Sequence, residues 1–554
     1  MNTDTDHTHG TKKRAMTATF AIMGSRILGL VREQVFAFFF GAGMALDAFV
    51  VAFRIPNLLR DLAAEGALSQ SFITIFSQKI ARGENKRAYT LANKLTTLVI
   101  IVMLVITVLG EIFAPQIVAA VARGFTADKD KFDLTVRLMR ILFPYILFVS
   151  LAALLMGMLN SQKKFFIPFS ASTFCNFISI AVGLLCAYLL APNYISMTAQ
   201  RIFLGNPLTI TDGLAIANAI TGMAWGSLLG GLGQYLFQLP SLFKLGYRPG
   251  LNFKFKDSEL AQILKLTGPA IIGGSAVQVN VLVNTWFASF LNEGSVSYLN
   301  FAFRFMQFPL GIFGVAIAAA SAPVLAQMIA QNRHGDFLQS IRSALKLSFF
   351  FSIPSAIGLI IMGQDIIALI YEHGQFDLYD TMQTGYALMA YSFGIASYSI
   401  IKIYQPAYLA FHNAKTPMKI ALFSIVVNVS INAFFIFVLH LSHWALALGT
   451  AIVAITNLAL LAFFFKKHVG GVWSRDVFLT LVKTVVAGVV MGVVVWLVQV
   501  TLQPLCVERT LAGKLLLVFV PMLAAIPVYF CVAYFFKVSD ARYFIDRIKN
   551  RLFA

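Results

Sequence analysis

Charged residues are scarce in this chain, and their scarcity excludes a water-soluble globular protein. Asp, Glu, Lys and Arg make up 12% of its 554 residues, whereas 58% are hydrophobic. Soluble domains are about a quarter charged and roughly half apolar, and the mean hydropathy here is +0.78. Apolar stretches of about 20 residues, the length that crosses a bilayer as a helix, recur along the whole chain. The sequence therefore predicts an all-α, polytopic membrane protein.

Cysteine is scarce too, and several enzymatic motifs are absent. The four cysteines have no CxxC spacing and mostly lie within apolar stretches, which favours packing residues over a disulfide frame or a metal site. GxxxxGK[ST], HExxH and GxSxG are not found, so the sequence offers no P-loop for ATP hydrolysis and no common hydrolase signature. We expect a protein that is not an enzyme and that has neither a metal site nor a bound cofactor.

The net charge of +19 does not indicate a nucleic-acid partner. Lys and Arg are not gathered in one patch; they separate the apolar stretches from one another. Basic loops mark the cytoplasmic side of a membrane protein. The loop with Lys79, Arg82, Lys86 and Arg87 and the segment 244–256 lie on the side that would also hold both termini. This pattern predicts a bacterial inner-membrane protein with a cytoplasmic N-terminus and a cytoplasmic C-terminus.

Fourteen spanning helices are predicted, and we group them into two six-helix lobes followed by two further helices. The predicted spans are 17–40, 45–80, 91–114, 134–159, 167–190, 213–239, 260–291, 296–330, 337–362, 382–411, 417–439, 445–465, 477–498 and 515–536. The corresponding parts are a tail (1–16), an N-terminal lobe (17–240), a cytoplasmic linker (241–259), a C-terminal lobe (260–466), the last two spans (477–536) and a second tail (537–554).

An internal repeat supports the two lobes. Ala52-Phe53-Arg54 recurs as Ala302-Phe303-Arg304, and each copy follows a glycine-containing turn and precedes a proline. The copies lie six predicted spans apart, in the second and the eighth, so both lobes have the same orientation, as in parallel-repeat transporters with a substrate site between their halves. Chance similarity between apolar segments is the alternative explanation.

Several charged residues lie within the predicted spans or at their ends. A Lys or Arg at the centre of a bilayer costs about 2.5–3.5 kcal/mol on insertion scales. These cations must therefore face an interior, pair with carboxylates or extend to the headgroup layer; Arg54 pairing with Asp47, and Arg60 extending to the headgroups, are examples. Since the nearby carboxylates are too few to neutralise all the cations, we favour a cavity for an anion, whose phosphate oxygens suit guanidinium groups. A purely structural network of ion pairs remains the alternative.

Four segments near the N-terminus carry a specific resemblance. They are GSRILGLVRE (24–33), FGAGMALDAF (40–49), FRIPNLLR (53–60) and AEGALSQSF (64–72). With these segments the chain resembles the MurJ (MviN) family of lipid II flippases, within the multidrug/oligosaccharidyl-lipid/polysaccharide exporter superfamily. The similarity continues through Phe143-Pro144-Tyr145, Gln238-Leu239-Pro240, 294–297 and Lys415-Thr416-Pro417, and thus covers nearly the whole chain.

The resemblance implies a two-lobed transporter whose central cationic cavity binds the diphosphate and sugars of lipid II. It implies substrate-binding roles for Arg26, Arg32, Arg60, Arg304, Asp47, Asn57, Ser297 and Lys402, and gate or ion-pair roles for Glu65 and Arg54. The sequence departs from the family at Phe303 and Gln307, because some members have acidic residues around this arginine.

The predicted function is transfer of undecaprenyl-diphosphate-linked disaccharide-pentapeptide from the cytoplasmic to the outer leaflet by alternating access. An ion gradient or the membrane potential would drive it, with a monovalent cation of unknown identity as a candidate coupling ion. The expected partners are lipid II and membrane lipids, with no nucleic acid, and a monomer is expected. The alternatives are a flippase for another polyprenyl-linked glycan and a cation-coupled drug exporter, although the latter should have acidic rather than arginine residues in its cavity.

Overall fold

The computed structural model describes residues 23–61, 68–204, 212–506 and 510–552, which fold as helices without a β-strand. In chain order the α-helices are α1 (23–40), α2 (Met44–Leu59), α3 (Ser69–Ala81), α4 (Asn85–Ile112), α5 (Ala114–Val121), α6 (Lys129–Leu142), α7 (Tyr145–Ser161), α8 (Phe166–Leu190), α9 (Pro192–Leu204), α10 (Gly213–Lys244), α11 (Ser258–Ala288), α12 (Ser295–Pro309), α13 (Ala316–Ala330), α14 (His334–Tyr371), α15 (Leu378–Ser392), α16 (Ile395–Ala410), α17 (Lys415–Ala433), α18 (Trp444–His468), α19 (Arg475–Leu502), α20 (Leu511–Phe535) and α21 (Ser539–Leu552). Short 3₁₀ segments lie at Arg123–Ala127 and Gln503–Cys506.

Many helices begin where the sequence provides a side chain that caps the free amides of the first turn. Asp212 accepts hydrogen bonds from the amides of Leu214 and Ala215 at the start of α10, and Asp257 does the same for Glu259 and Leu260 at the start of α11. Other helices are capped in the same way by Asp128, Asp377, Ser474 and Thr510. Local sequence therefore sets these boundaries.

The helices confirm the all-α membrane fold. Ten predicted spans coincide with described helices, single or consecutive, that are long and apolar enough to cross a bilayer. The other four predicted spans contain α1, α2 with α3, α11, and α15 with α16. Outward side chains such as Leu104, Val105 and Val108 on α4 are each about half exposed, an arrangement that suits lipid rather than water. The number of fourteen spans remains a prediction.

The two copies of the sequence repeat have similar backbone interruptions. The helix that carries Arg54 contains Pro56 and passes into a π-helical turn at Arg60 and Asp61. The helix that carries Arg304 ends at Pro309 and continues through a π-helical segment, Leu310–Val315, into α13. Proline removes a backbone donor and obstructs the preceding turn, so the same residue type interrupts the helix at a similar place in each copy.

By packing, the chain divides into two compact units. Unit 1 comprises residues 1–294 with Gly374–Phe376, and unit 2 comprises Ser295–His373 with Asp377–Ala554. The predicted boundary between lobes, at 241–259, was drawn from span count and repeat, whereas the packing boundary follows Gly294. Helix α11 therefore packs as part of unit 1: Glu259 at its start forms a 2.6 Å ion pair with Lys79 of α3.

Unit 1 contains closely packed helices without bulky side chains at their contact. A Cβ on Gly226 of α10 would lie 2.3 Å from the Cα of Gly183 on α8, and one on Gly222 would lie 2.2 Å from the amide nitrogen of Ala187. Small residues permit such backbone approach between membrane helices. A second part of this unit has an aliphatic and aromatic core in which Phe72, Phe76 and Leu95 are fully buried.

Unit 2 has its own cores, one of which includes the last two predicted spans. Tyr529 of α20 donates a hydrogen bond to the carbonyl of Phe350 on α14 at 2.6 Å, and their rings lie 5.2 Å apart. The segment predicted as a C-terminal tail contains α21, whose Phe544 ring also packs against Phe350. Sequence analysis missed this amphipathic helix because it counted only stretches long enough to span the membrane.

Candidate functional site

In unit 1 the described residues bring two of the predicted substrate-binding arginines near one tyrosine. The π-helical turn after α2 lets Arg60 Nη1 reach the hydroxyl of Tyr145, at the start of α7, at a distance of 3.5 Å. Arg32 of α1 also interacts electrostatically with this hydroxyl. The Tyr145 ring in turn packs 5.1 Å from the ring of Phe53. We call Arg32, Arg60 and Tyr145 the arginine group.

Both arginines have a carboxylate beside them. Arg32 Nη2 lies 3.3 Å from Glu33 Oε1, and Arg60 Nη2 lies 2.8 Å from Asp61 Oδ1. In each case the residue that follows in the sequence provides the carboxylate, so these two arginines do not add to the excess of positive charge expected from the sequence. Asp61 is further held by Gln278 Nε2 of α11 at 3.3 Å.

The arginine group still has donors available to an anion. The ion pair with Glu33 is the one hydrogen bond that Arg32 forms within the described part of the chain, and guanidinium carries five N–H donors. The side chain of Arg32 is 22% exposed, so its remaining donors are open to a ligand. Such donors bind phosphate oxygens bidentately.

Four other predicted residues of unit 1 have different surroundings. Arg26 is exposed on α1 and has no hydrogen bond or ion pair to any residue that the structure describes. Arg54 and Asn57 are half-buried on α2. Glu65, a predicted gate or ion-pair residue, lies outside the described residues, so its role remains a prediction.

Asp47 is buried and paired within unit 1. Its side chain is 1% exposed, and Oδ2 lies 2.8 Å from Lys131 Nζ of α6. The same oxygen accepts a hydrogen bond from the Gly294 amide at 2.9 Å. Sequence analysis proposed Arg54 as a partner and missed Lys131, which lies before the predicted fourth span. The burial argues against the predicted direct contact between Asp47 and substrate.

In unit 2 two predicted substrate-binding residues, Arg304 and Ser297, differ in exposure. Arg304 is exposed midway along α12, and so is Gln307 one turn later, whereas Ser297 is fully buried near the start of the same helix. The burial of Ser297 indicates a packing role. Phe303, where acidic residues were expected nearby, packs its ring 5.6 Å from that of Tyr391.

Lys402 is half-buried on α16. It forms no hydrogen bond or ion pair with any residue in the described ranges. A lysine at this depth without an acidic partner is unfavourable in a membrane protein unless it faces water or a ligand. Its position therefore fits the predicted role in substrate binding better than a role in packing.

The described residues hold no group of three or more His, Cys, Asp or Glu side chains placed to bind a metal ion. Asn428 and Asn432, one turn apart on α17, are buried and hydrogen-bonded to each other at 3.0 Å. This hydrogen bond favours a structural role for the two asparagines. The proposed coupling cation is not located by these observations.

Ten described helices or helix pairs long and apolar enough to cross a bilayer define a multi-pass membrane protein, and comparisons with known proteins identify its family as one of transporters. The family model "Lipid II flippase MurJ" matches residues 36–516. A probable lipid II flippase MurJ from Vibrio cholerae is 34% identical over 85% of this chain and 86% of its own length. The lipid II flippase MurJ of Burkholderia cenocepacia is 33% identical, with coverages of 80% and 81%. The chain belongs to the MurJ family.

A solved structure of the same family supports the fold. The structure described as lipid II flippase MurJ in an inward closed conformation aligns with a TM-score of 0.74 and 27% identity, covering 94% of this chain and 99% of that one. The resemblance noted in the N-terminal segments thus extends over the full fold, and the prediction that the chain is a transporter rather than an enzyme is confirmed by its family.

Proposed function

We propose that this protein flips lipid II, the undecaprenyl-diphosphate-linked disaccharide-pentapeptide, from the cytoplasmic to the outer leaflet of the bacterial inner membrane. Its relatives bear the name of that activity. The observation that carries the proposal is the arginine group, in which Arg60 contacts the Tyr145 hydroxyl at 3.5 Å and Arg32 lies within electrostatic range of the same hydroxyl. Guanidinium groups in the same region suit the phosphates of the substrate.

The arginine group takes the diphosphate, with Arg26 as a further cation on α1. Arg304 and Lys402 provide positive charge from unit 2. Charge-assisted hydrogen bonds to phosphate are roughly twice as strong as neutral ones, which favours capture of the head group while the polyprenyl chain stays in lipid. Asn57 provides a neutral hydrogen-bonding group on α2, and Glu65 and Arg54 act as gate or ion-pair residues.

Transport proceeds by alternating access in a monomer with both termini in the cytoplasm. The sequence has no P-loop, so an ion gradient or the membrane potential supplies the free energy. Moving one elementary charge through a potential of 100 mV is worth about 2.3 kcal/mol. A monovalent cation, of unassigned identity and position, is a candidate coupling ion.

Replacement of single arginines in cells tests the proposal. In a strain depleted of this protein, Arg32→Ala and Arg304→Ala should each leave lipid II on the inner leaflet, while Arg82→Ala should support normal translocation. Arg82 is a matched control because it is exposed in the loop between α3 and α4. Normal translocation by both cavity variants at normal membrane abundance would contradict the proposal. Accumulation of a different polyprenyl-linked glycan on depletion would indicate the alternative substrate.

A further inference from the structure

The chain passes from unit 1 into unit 2 immediately after Gly294. Gly294 is buried and has a φ of +86°, a left-handed conformation that residues with a Cβ rarely adopt. Its amide donates to Asp47 Oδ2 at 2.9 Å. The last residue of unit 1 is therefore fixed by a carboxylate that lies in α2, far away in the sequence.

Lys131 holds that carboxylate in place. Its Nζ lies 2.8 Å from Asp47 Oδ2, and the two side chains are 9% and 1% exposed. The same ammonium group lies 4.2 Å from the centroid of the Phe125 ring, a favourable cation–π distance. A buried carboxylate needs such a partner, since an unpaired charge there would be strongly unfavourable.

Two further contacts fix the residues before the junction. Glu293 Oε1 accepts a hydrogen bond from the Met44 amide, at the start of α2, at 2.5 Å. Ser289 Oγ, at the end of α11, accepts one from the Gly124 amide at 2.9 Å. A Cβ on Gly124 would lie 2.1 Å from the Ser289 carbonyl oxygen, so this approach requires glycine. The segment 289–294 is thus attached to unit 1 at three points.

We infer that Asp47 and Lys131 are positioning residues, which hold the last segment of unit 1, residues 289–294, in place during transport. Neither residue contacts the substrate. The inference rests on the proposed alternating access, in which this segment must keep its structure while the transporter changes conformation. It assigns a role to Lys131 and replaces the predicted substrate contact of Asp47 with a mechanical one.

Two double variants distinguish a role for the anchor, the hydrogen bond from the Gly294 amide to Asp47, from a role for the charge itself. Asp47→Asn with Lys131→Met removes both charges but keeps a side-chain oxygen that can accept from the Gly294 amide. Asp47→Leu with Lys131→Met removes the charges and the acceptor. The first double variant is the control. The two differ only at residue 47, where Asn and Leu have similar sizes.

Hydrogen exchange of the peptide that contains Gly294 measures the anchor without any substrate. We expect exchange at Gly294 to be about tenfold faster than in the wild type in the Leu variant, as for loss of one hydrogen bond to a charged group. The Asn variant should stay within about threefold of the wild type, as for a retained neutral hydrogen bond. Unchanged exchange in the Leu variant would overturn the inference.

Lipid II translocation and lipid II binding are then measured on the same two variants. The anchor predicts translocation that follows the exchange result, with near-normal turnover in the Asn variant, a large loss in the Leu variant and wild-type binding affinity in both. Equal loss of translocation in both would show that the charge itself is required, and weakened binding would show a substrate contact; either would overturn the inference. Failure of the arginine test would instead contradict the proposed function.

Glu293 provides a milder test should the Leu variant fail to fold. Glu293 is exposed, so Glu293→Ala should be tolerated while it removes the acceptor of the Met44 amide. Glu293→Gln keeps an acceptor and is the matched control. Faster exchange at Gly294 and slower translocation in the Ala variant alone support the anchor, and identical behaviour of the two variants contradicts it.

Discussion

Arg60 and Asp61 are consecutive residues whose side chains form an ion pair, with Nη2 and Oδ1 2.8 Å apart. The π-helical turn after α2 permits this geometry and also directs Arg60 Nη1 to the Tyr145 hydroxyl. The pair is partly exposed, so it contributes little to stability. Its importance would lie in presenting the guanidinium group to an anion.

Substitution of each partner separates these roles. Arg60→Ala should reduce lipid II translocation by about tenfold or more, the equivalent of one hydrogen bond to a charged group, while Asp61→Asn should retain most of it. Initial rates of translocation at equal membrane abundance provide the measurement. Equal losses in the two variants would show that the ion pair itself is required, rather than the arginine.

Lys402 lacks an acidic partner within the described residues, which leads to a stability prediction as well as a functional one. Lys402→Met should leave the thermal stability in detergent unchanged or higher, because it removes a half-buried charge that no carboxylate compensates. The same variant should lose translocation, and Lys402→Arg should retain it. A marked drop in melting temperature for Lys402→Met would indicate a structural role instead.

The ion pair of Asp257, in the linker between α10 and α11, leads to a prediction about how the stability of the fold depends on pH. Its hydrogen bond with Lys94 Nζ, at 2.6 Å, is the main cause that lowers the pKa of Asp257 below its usual 3.8. A carboxylate whose pKa is lowered by folding stabilises the fold at pH values above its unfolded-state pKa. This contribution disappears as the pH falls through the folded-state pKa. Asp257→Asn should therefore destabilise the protein at pH 7, and the effect should shrink as the pH falls through the folded pKa, which lies below 3.8.

Denaturation midpoints of the wild type and Asp257→Asn at several pH values check this expectation. Asp476→Asn is a suitable control. Asp476 pairs with Lys346, but its side chain is 73% exposed, so this ion pair should contribute less to stability. A difference between Asp257→Asn and the wild type that persists unchanged into acid would show that the ion pair is not its cause.

The close contact between α8 and α10 predicts strong sensitivity to small substitutions. Gly226→Ala would place a Cβ 2.3 Å from the Gly183 Cα, so the helices must separate, at a cost of about 1–3 kcal/mol. Gly358→Ala on α14 is the matched control, since a Cβ there has no atom within 4 Å among the described residues. It should be neutral or stabilising by up to about 1 kcal/mol. Melting temperatures in detergent compare the two, and equal values would contradict the packing argument.

Sequence analysis predicted the helices better than the contacts between them. The length of apolar stretches is a local property, and Pro56 and Pro309 mark interruptions directly, so the spans and the repeat follow from the sequence. The pairing of Asp47 with Lys131 joins residues that are 84 positions apart, and no local pattern indicates it. The division after Gly294 likewise depends on how α11 packs, which span counting does not reveal.

For the predicted site residues, the charged and polar side chains can be read from the sequence, but their surroundings cannot. Arg60 contacts Tyr145 and Arg32 lies in the same region, and the neighbouring Asp61 and Glu33 pair with them. Ser297 and Asp47 have the polar character of ligand-binding residues but are almost fully buried. Polarity within a span indicates that a partner exists, and only the fold tells whether that partner is a substrate or another helix.

Binding of lipid II to purified protein tests the central claim most directly. The account predicts that Arg32→Ala binds lipid II about tenfold more weakly than the wild type, and that the loss is much smaller for an analogue in which a neutral group replaces the diphosphate. Arg82→Ala should bind both ligands as the wild type does. Equal affinities of the wild type and Arg32→Ala for lipid II would contradict the claim that the arginine group binds the diphosphate.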